Sequence, residues 1–85
     1  MVEKEGIKDR LRDYLTSENP GRPEPIADDT NVFDEKLLDS LGIVRLVSFM
    51  EEEYVVEFNF DELTEDSLAT LESIARLIVS KKEGP

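Results

Sequence analysis

Three stretches of the chain place apolar residues at the spacing of an amphipathic helix. They span residues 3–16, 40–55 and 70–82, and in each of them an apolar residue recurs every three or four positions among charged ones. This period predicts three helices, each with one buried stripe. The stripe residues are Ile7, Leu11, Tyr14 and Leu15 in the first helix, Ile43, Val47, Met50 and Tyr54 with Leu46 on the flank in the second, and Leu71, Ile74, Leu77 and Ile78 in the third.

The first two predicted helices are joined by a long connection at residues 17–38. Three prolines within six residues, at positions 20, 23 and 25, exclude a regular helix there. An irregular loop of this length is uncommon in a domain of 85 residues unless it is anchored or functional. Its apolar residues are therefore expected to dock on the helices: Ile26, Val32, Phe33, Leu37 and Leu38.

Residues 55–60 alternate apolar and polar side chains, which taken alone is the pattern of a strand. A single strand has no partner to pair with, so we predict an extended connection whose aromatics, Phe58 and Phe60, fill the core. Residues 64–69 leave room for one short helix. The predicted fold is all-α, a small four-helix bundle of three longer helices and one short one, with a long loop between the first and second helices. It is expected to form one domain over residues 1–85, with a frayed tail from about residue 83.

The composition excludes the commonest catalytic side chains. The chain has no cysteine and no histidine, so the usual zinc ligands, thiol catalysis and imidazole catalysis are absent. The acids between residues 28 and 34 do not form a calcium loop, since Phe33 stands where an oxygen ligand is needed and Asp34 where the glycine belongs. No metal site and no autonomous enzyme activity are predicted.

The formal charge of −11 is concentrated in the middle of the chain. Residues 1–22 are neutral overall, residues 23–72 carry −13, and residues 73–85 carry +2. The acidic middle repels nucleic-acid phosphate and anionic lipid, so we expect no nucleic-acid partner, no stable membrane insertion, and partner proteins with basic patches. No apolar run approaches membrane-spanning length, and the first residues lack the apolar stretch of a signal peptide. A cytoplasmic protein, and a monomer, is expected.

Ser40 stands directly after Asp39 at the predicted start of the second helix. Either side chain could accept a hydrogen bond from an amide of the first helical turn, which is an ordinary capping role. A catalytic serine would need a base, and in a chain without histidine a lysine such as Lys36 would have to serve. A serine that another enzyme modifies needs exposure, a helix start favourable to phosphate, and a charged face with apolar residues. The sequence favours this second role.

The stretch around Ser40 resembles the acyl carrier protein family. The triplet Asp39-Ser40-Leu41 follows Leu37-Leu38 and precedes an apolar helix that ends in Glu51-Glu52-Glu53-Tyr54. Residues 28–33 resemble the family's loop before the site, and residues 63–71 resemble its third helix and the start of its fourth. The resemblance covers roughly residues 5–80.

The resemblance implies that Ser40 receives phosphopantetheine from coenzyme A in a reaction catalysed by a separate, magnesium-dependent phosphopantetheinyl transferase. It also implies that Asp39 helps to position that reaction and that Leu41 belongs to the recognition surface. The thiol of the arm would then carry an acyl or aminoacyl group as a thioester from a loading ligase to downstream enzymes of fatty-acid or specialised biosynthesis. Contacts with these enzymes are expected at four residues of the second helix: Val44, Arg45, Glu51 and Glu52.

Two residues after the serine depart from the pattern of fatty-acid synthesis. Gly42 and Arg45 stand where that pattern has acids, which removes negative charge from the docking helix. The run Leu-Leu-Asp-Ser-Leu-Gly looks more like carriers of specialised pathways, including those for amino acids such as D-alanine. The alternative is an unmodified acidic adaptor or inhibitor of a basic protein, in which Ser40 is no more than a helix cap.

Overall fold

The computed structural model describes residues 3–83. Within that range the chain forms four α-helices and one 3-10 turn, with no strand, which confirms the predicted all-helical bundle of three longer helices and one short one. The predicted tail begins where the last helix ends, and residues 84–85 lie outside the described residues. The elements are α1 (Lys4–Glu18), α2 (Ser40–Tyr54), the 3-10 turn (Phe60–Glu62), α3 (Glu65–Leu68) and α4 (Leu71–Glu83).

The core lies mainly between α1 and α4, which pack closely against each other. Both helices bury the stripe that their periodicity predicts, although Tyr14 and Leu77 are only partly buried. Complete burial of a side chain of this kind stabilises a fold by about 1.5–3 kcal/mol, so these two helices supply much of the folding free energy. The buried residues are Ile7, Leu11 and Leu15 of α1 with Leu71, Ile74, Ala75 and Ile78 of α4.

The buried stripe of α2 differs from the prediction. Leu46, predicted to lie on the flank, is fully buried together with Met50, whereas Ile43 and Val47 are only half-buried. Ile43 and Val47 lie about 60–100° round the helix from Leu46. Leu46 and Met50 therefore form the most deeply buried part of α2, and Ile43 and Val47 lie towards its margin.

The long loop between α1 and α2 is anchored by its apolar residues, as predicted. Ile26, Val32, Leu37 and Leu38 are buried, and Phe33 packs against the core from a half-buried position. A backbone hydrogen bond of 2.7 Å from the Val32 amide to the carbonyl of residue 69 ties the loop to the end of α3. The loop therefore delivers the chain to the start of α2 in a defined position.

A cluster of charged residues also holds the loop between α1 and α2 to α1 and α4. Lys8 is buried on α1, and its Nζ lies 2.8 Å from Asp28 of the loop, 2.7 Å from Glu5 and 3.2 Å from Glu72 of α4. Hydrogen bonds from Lys4 and Lys8 lower the pKa of Glu72 to about 2. The hydrogen bond from Lys8 also lowers the pKa of Asp28. Its hydrogen bonds to Asp28, Glu5 and Glu72 in turn raise the pKa of Lys8. Three separate segments of the chain are thus held together by charge.

The connection after α2 is irregular, as predicted, but one of its aromatics does not enter the core. Phe58 packs partly against the core, whereas Phe60 is 92% exposed, so the prediction that both rings fill the core is wrong. The reason is local, because Phe60 opens the 3-10 turn. Asn59 and Glu62 close that turn with a capping box that leaves the Phe60 ring outside the bundle.

Candidate functional site

The start of α2 is organised by Asp39. This residue has extended backbone angles, φ −107° and ψ −174°, and its Oδ1 accepts a hydrogen bond of 2.6 Å from the Gly42 amide. The sequence allowed either Asp39 or Ser40 to cap the helix, and in the structure the cap is Asp39. Ser40 is the first helical residue, its side chain is exposed, and its hydroxyl makes no hydrogen bond to the described residues. The hydroxyl is available for chemistry.

Ser40 is held in place by the two residues before Asp39. Leu37 and Leu38 are both buried, and the Leu37 amide donates a 2.8 Å hydrogen bond to the Val32 carbonyl. The Asn19 side chain at the end of α1 donates to the Leu37 carbonyl at 3.3 Å. An exposed serine two residues beyond a buried and hydrogen-bonded pair is presented at a fixed position, which suits a group that a second enzyme must find.

The turn that leads into this segment contains a backbone feature that the sequence analysis missed. Lys36 has φ 58°, in the left-handed region that residues with a side chain adopt at a cost of about 1–2 kcal/mol. Lys36 and Arg45 are also the only two basic residues between positions 23 and 72. Both line a cavity of about 170 Å³ beside the cap. The two positive charges of the acidic segment at residues 23–72 therefore lie at the same cavity. The cavity is lined by Tyr14, Glu18, Asn19, Lys36, Leu37, Leu38, Asp39, Gly42 and Arg45.

Gly42 allows the cap to lie close to the helix. A Cβ atom at this position would lie 3.1 Å from Asp39 Oδ1, which is closer than an ordinary contact. It would lie 3.4 Å from the Leu38 side chain, which is at the short limit of an ordinary contact. A side chain at position 42 would therefore require the cap to shift by a few tenths of an ångström.

The predicted recognition residues occupy different environments along α2. Leu41 and Val44 are 58% and 60% exposed, so two large apolar side chains lie in solvent within one turn of Ser40. Arg45 is exposed and lies 3.5 Å from Glu18 of α1. Glu52 is exposed, whereas Glu51 is half-buried and accepts a 3.1 Å hydrogen bond from the Phe58 amide.

Two of the three acids at the end of α2 have structural partners, which the sequence analysis did not foresee. Besides the hydrogen bond of Glu51, Glu53 forms a 2.8 Å ion pair with Arg10 of α1. Lys82 of α4 donates a 3.0 Å hydrogen bond to the Tyr54 carbonyl, where the helix dipole is negative. Negative charge at this helix end is therefore offset by cations from two other helices.

Residues 9–78 match a family model described as a phosphopantetheine attachment site. No curated protein sequence matches the chain. Because the match extends over most of the 85 residues, the chain belongs to the phosphopantetheine attachment site family and is a carrier protein of the acyl carrier type. Its prosthetic group is covalently attached phosphopantetheine, and its partners include a phosphopantetheinyl transferase and acyl-handling enzymes.

The start of α2 fits that prosthetic group. A phosphodiester linkage needs an accessible hydroxyl, and the Ser40 hydroxyl is exposed and makes no hydrogen bond within residues 3–83. The amides and the dipole at a helix start also favour phosphate. Within residues 3–83 no helix is long and apolar enough to cross a membrane.

Proposed function

We propose that Ser40 is the residue that carries phosphopantetheine. The observation that supports this proposal is that Asp39 caps α2, while the neighbouring Ser40 hydroxyl is exposed and has no hydrogen-bond partner in the part of the chain that the structure describes. In the transfer, Ser40 Oγ forms a bond to the phosphorus of coenzyme A that bears pantetheine, the pyrophosphate bond breaks, and adenosine 3′,5′-bisphosphate leaves. The serine proton passes to a base of the transferase.

The roles of the other residues follow from their positions. Asp39 orients Ser40 through the cap, and the exposed Leu41 and Val44 give the transferase an apolar surface next to the reacting hydroxyl. Arg45 and Glu52 are exposed polar contacts for partner enzymes. Glu51 acts chiefly by holding the connection that follows α2, because its carboxylate already bonds the Phe58 amide.

The cargo is an acyl or aminoacyl group carried as a thioester on the terminal thiol of the arm, between partner enzymes of a specialised pathway. Gly42 and Arg45 support partner enzymes different from those of fatty-acid synthesis. Where carriers of fatty-acid synthesis have acids, these two residues make the first turns of α2 less negative. Glu18 and Arg45 on the wall of the neighbouring cavity add charges of both signs near the attachment point. Mass spectrometry of the holo-protein isolated from its source with the thioester intact would identify the cargo.

The attachment residue is tested by co-expression with a broad-specificity phosphopantetheinyl transferase, followed by intact mass measurement. The wild-type chain is expected to gain the mass of one phosphopantetheine, and Ser40→Ala to gain none. Ser48→Ala is the matched control, because Ser48 is also exposed on α2 and its replacement should leave the mass increase unchanged. A mass increase in Ser40→Ala would refute the assignment, and no increase in the wild type would favour the unmodified adaptor.

A further inference from the structure

Phe60 is the most exposed large apolar residue among residues 3–83, at 92%. The turn that carries it is firmly held. The Asn59 amide donates to Glu62 Oε1 at 2.7 Å, Lys81 of α4 donates to the same oxygen at 2.9 Å, and Ser67 Oγ donates to the Glu62 carbonyl at 2.8 Å. An aromatic ring on a rigid turn loses little conformational freedom when it binds, which is the property of an anchor residue in a protein interface.

The charges around Phe60 determine the kind of surface that it fits. Residues 55–66 contain five acids and no base, and of these acids only Glu62 forms an ion pair within residues 3–83. A second copy of the chain would bring the same acidic turn against itself, and an anionic membrane would repel it. The complementary surface is a protein pocket for an aromatic ring, bordered by lysine or arginine.

The connection that bears Phe60 is joined to the side of α2 that carries the proposed attachment residue. Ser40, Val44 and Glu51 fall within about 40° of one another round the helix, and Glu51 is about 16 Å along the axis from Ser40. Because the Glu51 carboxylate accepts a hydrogen bond from the Phe58 amide, the connection that bears Phe60 runs beside this face. A standard interface covers about 800 Å² per partner, about 30 Å across, so one enzyme can cover both ends.

We propose that Phe60 anchors the phosphopantetheinyl transferase while that enzyme acts on Ser40. The transferase must touch the Ser40 end of this face, and the exposed Val44 lies between the two contacts. The ring enters an apolar pocket on the transferase, and the acids Glu57 and Asp61 beside it pair with basic residues at the pocket rim. This inference rests on the assignment of Ser40 as the attachment residue.

The test measures the initial rate of phosphopantetheine transfer by intact mass at limiting concentrations of the same transferase, together with the end point after prolonged incubation. Phe60→Ser is expected to lower kcat/KM about tenfold or more, mainly through KM, and still to reach full modification. Phe60→Tyr keeps the ring and should stay within about twofold of the wild type. Val55→Ser, which removes another apolar side chain that is 83% exposed, should also stay within about twofold.

The outcomes separate the two proposals. If the wild type is not modified, the proposed function fails. If the wild type is modified and Phe60→Ser reacts at the wild-type rate, or if Val55→Ser is as slow as Phe60→Ser, the anchor role of Phe60 is overturned. Circular dichroism melting of each variant is the control for folding, and an exposed ring predicts equal melting temperatures for Phe60→Ser and the wild type.

Discussion

Replacement of Tyr54 by phenylalanine should stabilise the protein. Tyr54 is the last residue of α2, and its hydroxyl is buried without a hydrogen-bond partner among the described residues. Burial also raises the pKa of this phenol. A buried donor that lacks a partner costs about 1–3 kcal/mol, and the ring itself would remain packed in Tyr54→Phe. Allowing for the small void that the lost oxygen leaves, the expected gain in unfolding free energy is about 1 kcal/mol.

In a domain of 85 residues this gain corresponds to a rise of about 4–8 °C in Tm. Urea and thermal unfolding at pH 7, followed by circular dichroism, would measure it. Tyr14→Phe is the matched control, because the Tyr14 ring stacks on Phe49 with centroids 4.3 Å apart and the substitution keeps that stack, so its effect should be within about 0.5 kcal/mol. A loss of about 1 kcal/mol or more in Tyr54→Phe would refute the reasoning, since it would mean that the hydroxyl makes a stabilising hydrogen bond.

Three further predictions concern acid pH, the cap and salt. Because the pKa of Glu72 falls from 4.5 to about 2 on folding, its stabilising contribution is complete above pH 4.5 and is lost as the pH falls towards 2. Urea unfolding across this range should show a shallower pH dependence in Glu72→Gln, and an unchanged dependence would contradict the ion-pair cluster. Asp39→Ala should lose about 1 kcal/mol of stability while Asp39→Asn, which still caps, keeps it; equal stability of the two variants would remove the structural role of the cap. Salt or millimolar Mg²⁺ should raise Tm by screening the acidic middle of the chain, which a Tm indifferent to both would exclude.

The helices of this protein could be predicted from the sequence because each depends on a local pattern. An apolar residue every three or four positions predicts the helix and, approximately, its buried side, as Ile7, Leu11 and Leu15 show. The loop could be predicted for the same reason, since three closely spaced prolines forbid a helix and its isolated apolar residues have to be buried.

The sequence predicted less well which residues of α2 are fully buried, because the burial of a side chain depends on what packs against it. Ile43, Leu46 and Val47 are similar in hydrophobicity, so residue type alone does not tell which of them is buried completely, and only the packed chain shows that it is Leu46. The role of Glu51 could not be predicted either, since its hydrogen-bond donor is the Phe58 amide, seven residues further along a non-helical segment.

Charged residues distant in the sequence gave no local signal of their contacts. Lys8, Asp28 and Glu72 are each unremarkable surface residues by composition, and only the folded chain brings them within hydrogen-bond distance. Lys36 and Arg45 line the same cavity although nine positions separate them in the sequence. Electrostatic energy depends on distances in space, which periodicity does not report.

The sequence by itself determined the helical architecture, the anchored loop and the resemblance that points to Ser40 as an acceptor of phosphopantetheine. These depend on residue type and spacing along the chain. The tertiary structure decided that Asp39 is the cap, that Ser40 is exposed beside it, and that Phe60 points into solvent instead of the core. Periodicity along the chain reports neither outcome, because a hydrogen bond or a buried contact exists only where the folded backbone brings its two partners together.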